Sequence, residues 1–323
     1  MKQKSVNMKS IKIPCRDEFE RASKDEVLFK SLTGIDFKHF KRLLKVFRVG
    51  IKAERSIETM KKQYNKKYDG IMSDLECRLY IVIKKARKRL TTYETADMAG
   101  LKKSRSDLLV KKDMKRLNLG LEKNGYMPLN ENSTTEKDFF LKKNRKYAGD
   151  CFAQRKNKRN VPFKEAKKDF SGYYGCTCGK MFILIDLITG KIVYFIQEKI
   201  GSMHDINIAK GFFANFNFDK TVKFLLDLGF YGMYLYTNAT ILTPIKALQN
   251  HVLTKEEESY NAGLSGERAH VERAIGLMKR YEILSEKSRC RPKARTLYNS
   301  VVAGLTNFYI ENKNWFKNKS ILA

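Results

Sequence analysis

The chain lacks the paired C-x2-C units of zinc sites. Its six cysteines, at 15, 77, 151, 176, 178 and 290, include one C-x-C, Cys176 and Cys178, with no matching His or Cys pair beside it, so reduced, structural thiols are expected. Apolar runs of the ~18 residues that a membrane helix needs are missing too. The strongest, MFILIDLI and VVAGLTNFYI, have strand or buried-helix lengths. The basic N-terminal stretch holds no apolar segment of about seven or more, which argues against a secretory signal, so a soluble, intracellular protein is expected. No internal repeat or low-complexity tract occurs. Acidic residues are scarce: 35 Asp and Glu against 65 Lys and Arg leave a formal net charge of +30. Such a surplus repels itself in a compact state and favours a polyanionic partner, nucleic acid first.

What is present is a globular composition, 42% hydrophobic and 11% aromatic, which excludes a wholly disordered basic tail. A length of 323 residues corresponds to about two domains. Within residues 26–48, Phe37, Phe40, Leu43, Leu44 and Phe47 recur at helical spacing after a start signal at Gly34 to Asp36. His39 stands among basic residues there and reads as a solvated side chain. Residues 49–70 are Lys-rich and weakly patterned, a connector or loosely packed helix. Ser73 with Glu76 three positions on forms a capping-box signal for the next helix, whose apolar face is Leu79, Ile83 and Leu90. A short helix over 93–99, a turn at Gly100 and Leu101, and a basic helix from about Lys103 to Leu117 outline a helix-turn-helix. Lys102, Lys103, Arg105, Lys111 and Lys112 are its candidate DNA contacts. An ordinary helical hairpin with a solvated basic face has the same outline.

Residues 125–137, rich in Asn, Ser and Thr, form the best linker, dividing a helical region (1–130) from a second domain (131–323). There, residues 181–196 read as an antiparallel hairpin turning at Thr189 and Gly190, with Asp186 as a turn residue. KFLLDLGFYG is a further apolar run closed by glycines, and residues 254–280 are helical. The second half is therefore a strand-first mixed α/β domain.

In so basic a chain, acids at the ends of apolar strands need a reason, because a buried carboxylate is costly unless paired or metal-bound. Asp227 ends KFLLD before a Gly-rich turn. Asp205 opens a helix after the turn in IGSMHD, and a helix-N-terminal acid beside His204 is the alternative. In SGERAHVERAIGLMKR, Arg268, Glu272 and Lys279 are spaced by four and seven, so a helix brings them to one face as cation, carboxylate, cation. That order suits a metal-binding carboxylate flanked by phosphate-gripping cations, and it also suits a plain Arg–Glu surface pair. Glu267 lies off that face.

SGERAHVERAIGLMKRYEIL resembles the third-acid region of DDE transposases of the Harbinger type and of related bacterial insertion-sequence transposases, keeping R-x3-E-x6-K. GSMHD and LLDLGFYG are similar to the family's G-S-x-H-D and L-x-D-S-G-Y-x-G segments, TKEEESYN to the stretch before the helix, and SLTGIDFKHFKRLL with the helix-turn-helix to its N-terminal DNA-binding region. The likeness spans roughly residues 30–310. It implies an RNase H-like mixed-sheet α/β domain behind an all-α, helix-turn-helix-containing region. It also implies strand cleavage and strand transfer on double-stranded DNA, and a homo-oligomer assembled on that DNA in a bacterial cytoplasm or nucleoid. Asp150, Asp227 and Glu272 would be catalytic, binding Mg²⁺ or Mn²⁺ with Asp205 as a fourth ligand, while Arg268 and Lys279 contact DNA. The pattern departs at the first acid. Anchoring on Arg155 sets the family's Asp at Tyr147, whereas Asp150 is the only acid of KYAGDCFAQR. An odd shift along a strand turns a side chain to the opposite face, unless a bulge near Gly149 restores it. SGYYGC likewise replaces the cations of the family's S-G-K-K-K-R-H segment. A displaced first acid implies a weak or inactive enzyme, so the alternative is a decayed or co-opted DNA-binding protein.

Overall fold

A computed structural model describes residues 13–59, 70–131, 141–248 and 252–313, and the chain divides after Asn124 into two units. The first unit is helical. Its helices are α1 (Pro14–Lys24), α2 (Glu26–Thr33), α3 (Phe37–Thr59), α4 (Leu75–Lys88), α5 (Thr92–Ala99) and α6 (Lys103–Lys123). Asp25 caps α2 by accepting from the Leu28 N–H at 3.0 Å. Gly34, at φ 80°, ends α2 in the left-handed conformation that a β-carbon disfavours. Thr91 and Glu94 form a reciprocal capping box on α5, and Gly100, at φ 63°, turns the chain toward α6.

Three sequence expectations change here. Asp74, not Ser73, caps α4, accepting from the Cys77 N–H at 2.9 Å, while Glu76 is taken by Arg16 at 2.9 Å. His39 is buried instead of solvated, because one helical turn brings its Nδ1 within 3.1 Å of the buried Asp36 carboxylate. The Lys-rich stretch after residue 48 continues α3 unbroken to Thr59, and residues 60–69 lie outside the described residues.

The first unit's interior is aromatic. Phe19, Phe29, Phe40 and Tyr80 pack with ring centroids 5.2–6.1 Å apart. Arg78 and Asp113 form a buried pair joining α4 to α6, with Nε to Oδ2 at 2.9 Å, and Arg116 adds a bond to Asp113 at 3.0 Å. The backbones of α3 and α6 meet at Gly50 and Gly120, where a β-carbon on either would overlap a carbonyl of the other helix.

The second unit is built on a mixed sheet: β1 (Lys146–Arg155), β2 (Phe170–Ser171), β3 (Cys176–Asp186), β4 (Ile192–Ile200), β5 (Lys223–Leu225) and β6 (Thr240–Leu242). Its helices are α7 (Phe163–Lys167), α8 (Asp205–Asn215), α9 (Lys255–Lys279), α10 (Glu282–Ser285) and α11 (Pro292–Lys313). The strands lie in the order β4, β3, β1, β5, β6, with β2 bonded to the start of β3. The first three run antiparallel, whereas β5 and β6 run parallel to β1. The β3–β4 hairpin turns where expected, with Gly190 at φ 69°. Asp186 does serve that turn, accepting from the Ile188 N–H at 2.9 Å, but it is also buried and ion-paired with Arg145.

Alternation along β1 separates two cores. Tyr147 and Cys151 join Phe182, Leu184, Phe224 and the α8 residues Phe212 and Phe213. On the other face Gln154 donates to the Ile283 carbonyl at 2.8 Å, and Asn299 of α11 reaches Gln154 at 3.2 Å. Of the expected linker, Leu129 bonds into β4, through Val193 and Phe195, so residues 125–131 pack with the second unit, and residues 132–140 lie outside the described residues. No described helix is long and apolar enough to cross a membrane.

Candidate active site

The sheet register decides which acids meet. Strand β5 pairs with β1 from Lys146↔Lys223 to Ala148↔Leu225 and stops there. Two more residues along each strand sets Asp150 level with Asp227, and equal parity puts both carboxylates on one face, beside an edge of β1 that β5 no longer covers. Register with β3 runs unbroken from Tyr147 to Arg155, so Asp150 takes this facing without a bulge. Gly149 serves packing instead: a β-carbon there would lie 2.7 Å from the Phe182 ring.

Tyr147 faces the opposite core. Its ring centroid lies 5.9 Å from that of Phe224, and its hydroxyl accepts from the Lys142 N–H at 2.8 Å. Tyr147→Asp therefore buries a carboxylate among phenyl rings, and the expected outcome is a loss of about 3–5 kcal/mol in urea unfolding with no gain of strand cleavage. A gain of metal-dependent cleavage would mean that position 147, not 150, is the place of the first acid.

Other buried acids of this unit are neutralised. Asp169 and Glu198 hold the Lys156 ammonium at 3.1 and 2.7 Å, and Arg295 also bonds Glu198, at 3.0 Å. Asp150 differs: among the described residues its Oδ1 accepts only from the adjacent Cys151 N–H, at 2.7 Å. Burial pushes its carboxyl up to about 6, against the adjacent amide and Arg268, with Asp227 and Asp205 adding repulsion. A desolvated carboxylate crowded by two other acids favours a bound cation.

Asp227, half exposed, accepts from Arg268 Nη1 at 3.2 Å. Arg268 is itself buried, and its Nε has no hydrogen-bond partner among the described residues. Asp205, the first residue of α8, accepts from Lys180 Nζ at 2.9 Å, and a β-carbon on Gly229 would sit 3.5 Å from its Oδ2, which ties it to the turn after Asp227. Sequence reading missed Lys180. Its signal was a cation opening the apolar run of β3, where it is buried and also donates to the Met203 carbonyl at 2.9 Å. Tyr174, whose hydroxyl is pushed up by burial and then by Asp205 and Asp150, was missed as well.

Helix α9 lies along β1. Lys146 bonds Glu267 at 2.7 Å near one end, and Lys279 Nζ sits 5.8 Å from the Phe152 ring near the other. Twelve helical residues rise ~18 Å and six strand residues ~20 Å, so the two run side by side. Glu272 follows Arg268 by one turn, exposed and with neither hydrogen bond nor ion pair among the described residues. Asp150 thus lies within electrostatic reach of Asp227 and Asp205, and no three His, Cys, Asp or Glu side chains among the described residues form a ready metal cage. In the first unit Lys102, Lys103 and Arg105 are exposed at the start of α6, with Lys103 Nζ 4.1 Å over the Tyr93 ring. Lys111 and Lys112 instead pair with Asp107 and Glu54.

Residues 150–307 match the family described as DDE superfamily endonuclease. The probable transposase for insertion sequence element IS702 of Microchaete diplosiphon is 30% identical over 152 residues, 47% of this chain and 54% of that protein, so the chain spans about half the length of this curated relative. The cryo-EM structure of the piggyBac transposase synaptic complex with hairpin DNA is similar over 93% of this chain and 77% of that one, with a TM-score of 0.43 and 11% identity.

Proposed function

We propose that this chain is a transposase that cuts DNA strands at the ends of a mobile element and joins them to a target; the match of residues 150–307 to the DDE superfamily endonuclease family supports this reading. The observation that carries this reading is the level, same-face placement of Asp150 and Asp227 at the open edge of β1, with Asp227 and Asp205 adding repulsion at the buried Asp150 carboxyl. An all-oxygen donor pair in that state fits Mg²⁺ or Mn²⁺, with Asp150 and Asp227 as ligands and Asp205 and Glu272 as further ones. Two such ions, when bound, activate the attacking oxygen and stabilise the leaving one. The protein's own groups do the rest. Arg268 holds Asp227 in orientation. Lys279 extends the cationic line along α9, and Lys180 balances Asp205.

The strand order supports an RNase H-like reading of the second unit. For the first, we read α5, the turn at Gly100 and α6 as a helix-turn-helix with Lys102, Lys103 and Arg105 on DNA, and Lys111 and Lys112 as its flanking cations. Assembly as a homo-oligomer on double-stranded DNA completes the proposal, with the bacterial cytoplasm as its compartment. Asp150 on the same face as Asp227 favours an active enzyme over a decayed copy.

The test uses the full chain and duplexes carrying the flanking sequence of its own gene. Nicking that requires Mg²⁺ and disappears in Asp227→Asn is the expected result. DNA affinity should also fall by about 10³–10⁵ between 50 and 200 mM salt if six to ten phosphates are contacted. Absence of nicking, or nicking indifferent to Asp227→Asn, overturns the reading.

A further inference from the structure

The turn that follows Asp227 exposes aromatic side chains to an unusual degree. Tyr231, which caps the 3₁₀ turn Leu228–Phe230, is 66% exposed, and Tyr234 and Leu235, in the next one (Met233–Tyr236), are 56% and 71% exposed. Large apolar groups left in water side by side cost free energy that folding would normally recover, and the neighbouring Phe230 and Met233 are fully buried as expected. The exposed members are therefore not needed for the core. The Tyr231 and Tyr234 rings stand edge to face at 6.4 Å, and Lys210 of α8 lies 3.8 Å over the ring of Tyr236. The patch thus combines flat π faces with a cation, and both Asp227 and the start of α8 adjoin it: a β-carbon on Gly232 would sit 4.0 Å from Ile206, next to Asp205.

Aromatic faces beside a cation match a polyanion whose bases are unstacked, since stacking needs a free π face and the phosphates need the charge. A paired duplex hides its base faces and cannot use such a surface. We propose that Tyr231 and Tyr234 form a stacking platform for unpaired nucleotides of the strand end held at the Asp150–Asp227 site, with Lys210 and Tyr236 steering its backbone. This rests on the nuclease reading above and adds a surface that recognises single-stranded character at the cut.

The test separates the two. In EDTA, where no cleavage occurs, the full chain is titrated with duplexes bearing either a short unpaired 3′ end containing 2-aminopurine or a blunt end. The unpaired end should bind more tightly, with quenched fluorescence. Tyr231→Leu with Tyr234→Leu should weaken that binding by about tenfold or more and abolish the quenching, while blunt-duplex affinity stays unchanged and Tyr231→Trp retains both effects. Both side chains lie outside the core, so the variants keep the fold, which thermal unfolding checks. Equal affinity and quenching in the wild type and the double leucine variant would overturn the platform. So would variants that change the sedimenting mass and not the DNA signal, which would make the patch a contact with a second copy. Nicking by the wild type in Mg²⁺ is read separately from this metal-free binding, so failure of the nuclease reading shows in a different measurement.

Discussion

Asp150→Asn is expected to abolish metal-dependent strand cleavage, by about 10³-fold or more, and at the same time to stabilise the protein above pH 6. The two effects have one cause. Burial and the neighbouring acids hold the Asp150 carboxyl at about 6 in the folded chain, above its ordinary 3.8. With the folded value raised, stability is intact below about pH 4 and is lost as pH rises through 4 to 6, because ionisation is then easier in the unfolded chain. Two pKa units correspond to about 3 kcal/mol, so a gain of about 1–3 kcal/mol in the variant at pH 8, vanishing at pH 4, is the expected result in urea unfolding. Divalent cation should recover part of that stability in the wild type at pH 8 by offsetting the charge, and should do less for the variant. Retained cleavage, or a variant less stable than the wild type at pH 8, would show that Asp150 is an ordinary packed acid.

Gly50→Ala is expected to cost about 2 kcal/mol or more, although alanine favours a helix over glycine by about 1 kcal/mol. At Gly50 the added carbon overlaps the Arg116 carbonyl and lies 2.8 Å from the Gly120 amide nitrogen. These are backbone atoms of a packed helix, which cannot swing aside as the end of a long side chain does. The two helices must move apart, and α6 carries with it Asp113, whose buried pair with Arg78 of α4 is then strained, where an uncompensated charge is costly. Gly263→Ala in α9 is the control, since nothing lies within 4 Å of the carbon it adds, and it should be neutral or slightly stabilising. Thermal unfolding of the full chain reads both, and equal behaviour of the two variants would refute close packing at Gly50.

Local chemistry was legible in the residues themselves. A capping residue, a glycine at positive φ and a hydrophobic period act within a few residues of one another, so α5, its turn, α6 and the β3–β4 hairpin stand close to where the pattern sets them. Asp227 was marked by its place after an apolar run, and Arg268, Glu272 and Lys279 by helical spacing. Where two neighbouring residues could do the same job the sequence was ambiguous, as with Ser73 and Asp74, and the geometry of the first turn chose the acid.

Composition, charge and periodicity by themselves determined a basic, two-part chain with a helical first half, a mixed α/β second half and acids at strand ends. Tertiary structure alone decided which of those acids share a face. Tyr147 and Asp150 are three residues apart on one strand, and a strand pattern alone does not say which face is core. Pairing with β5 and packing against α8 turn Tyr147 inward and Asp150 toward Asp227. The burial of His39 and the cation on each of Asp205 and Asp227 likewise depend on contacts across elements. Such contacts arise only when strands and helices far apart in sequence are brought together, and no spacing along the chain encodes their distances.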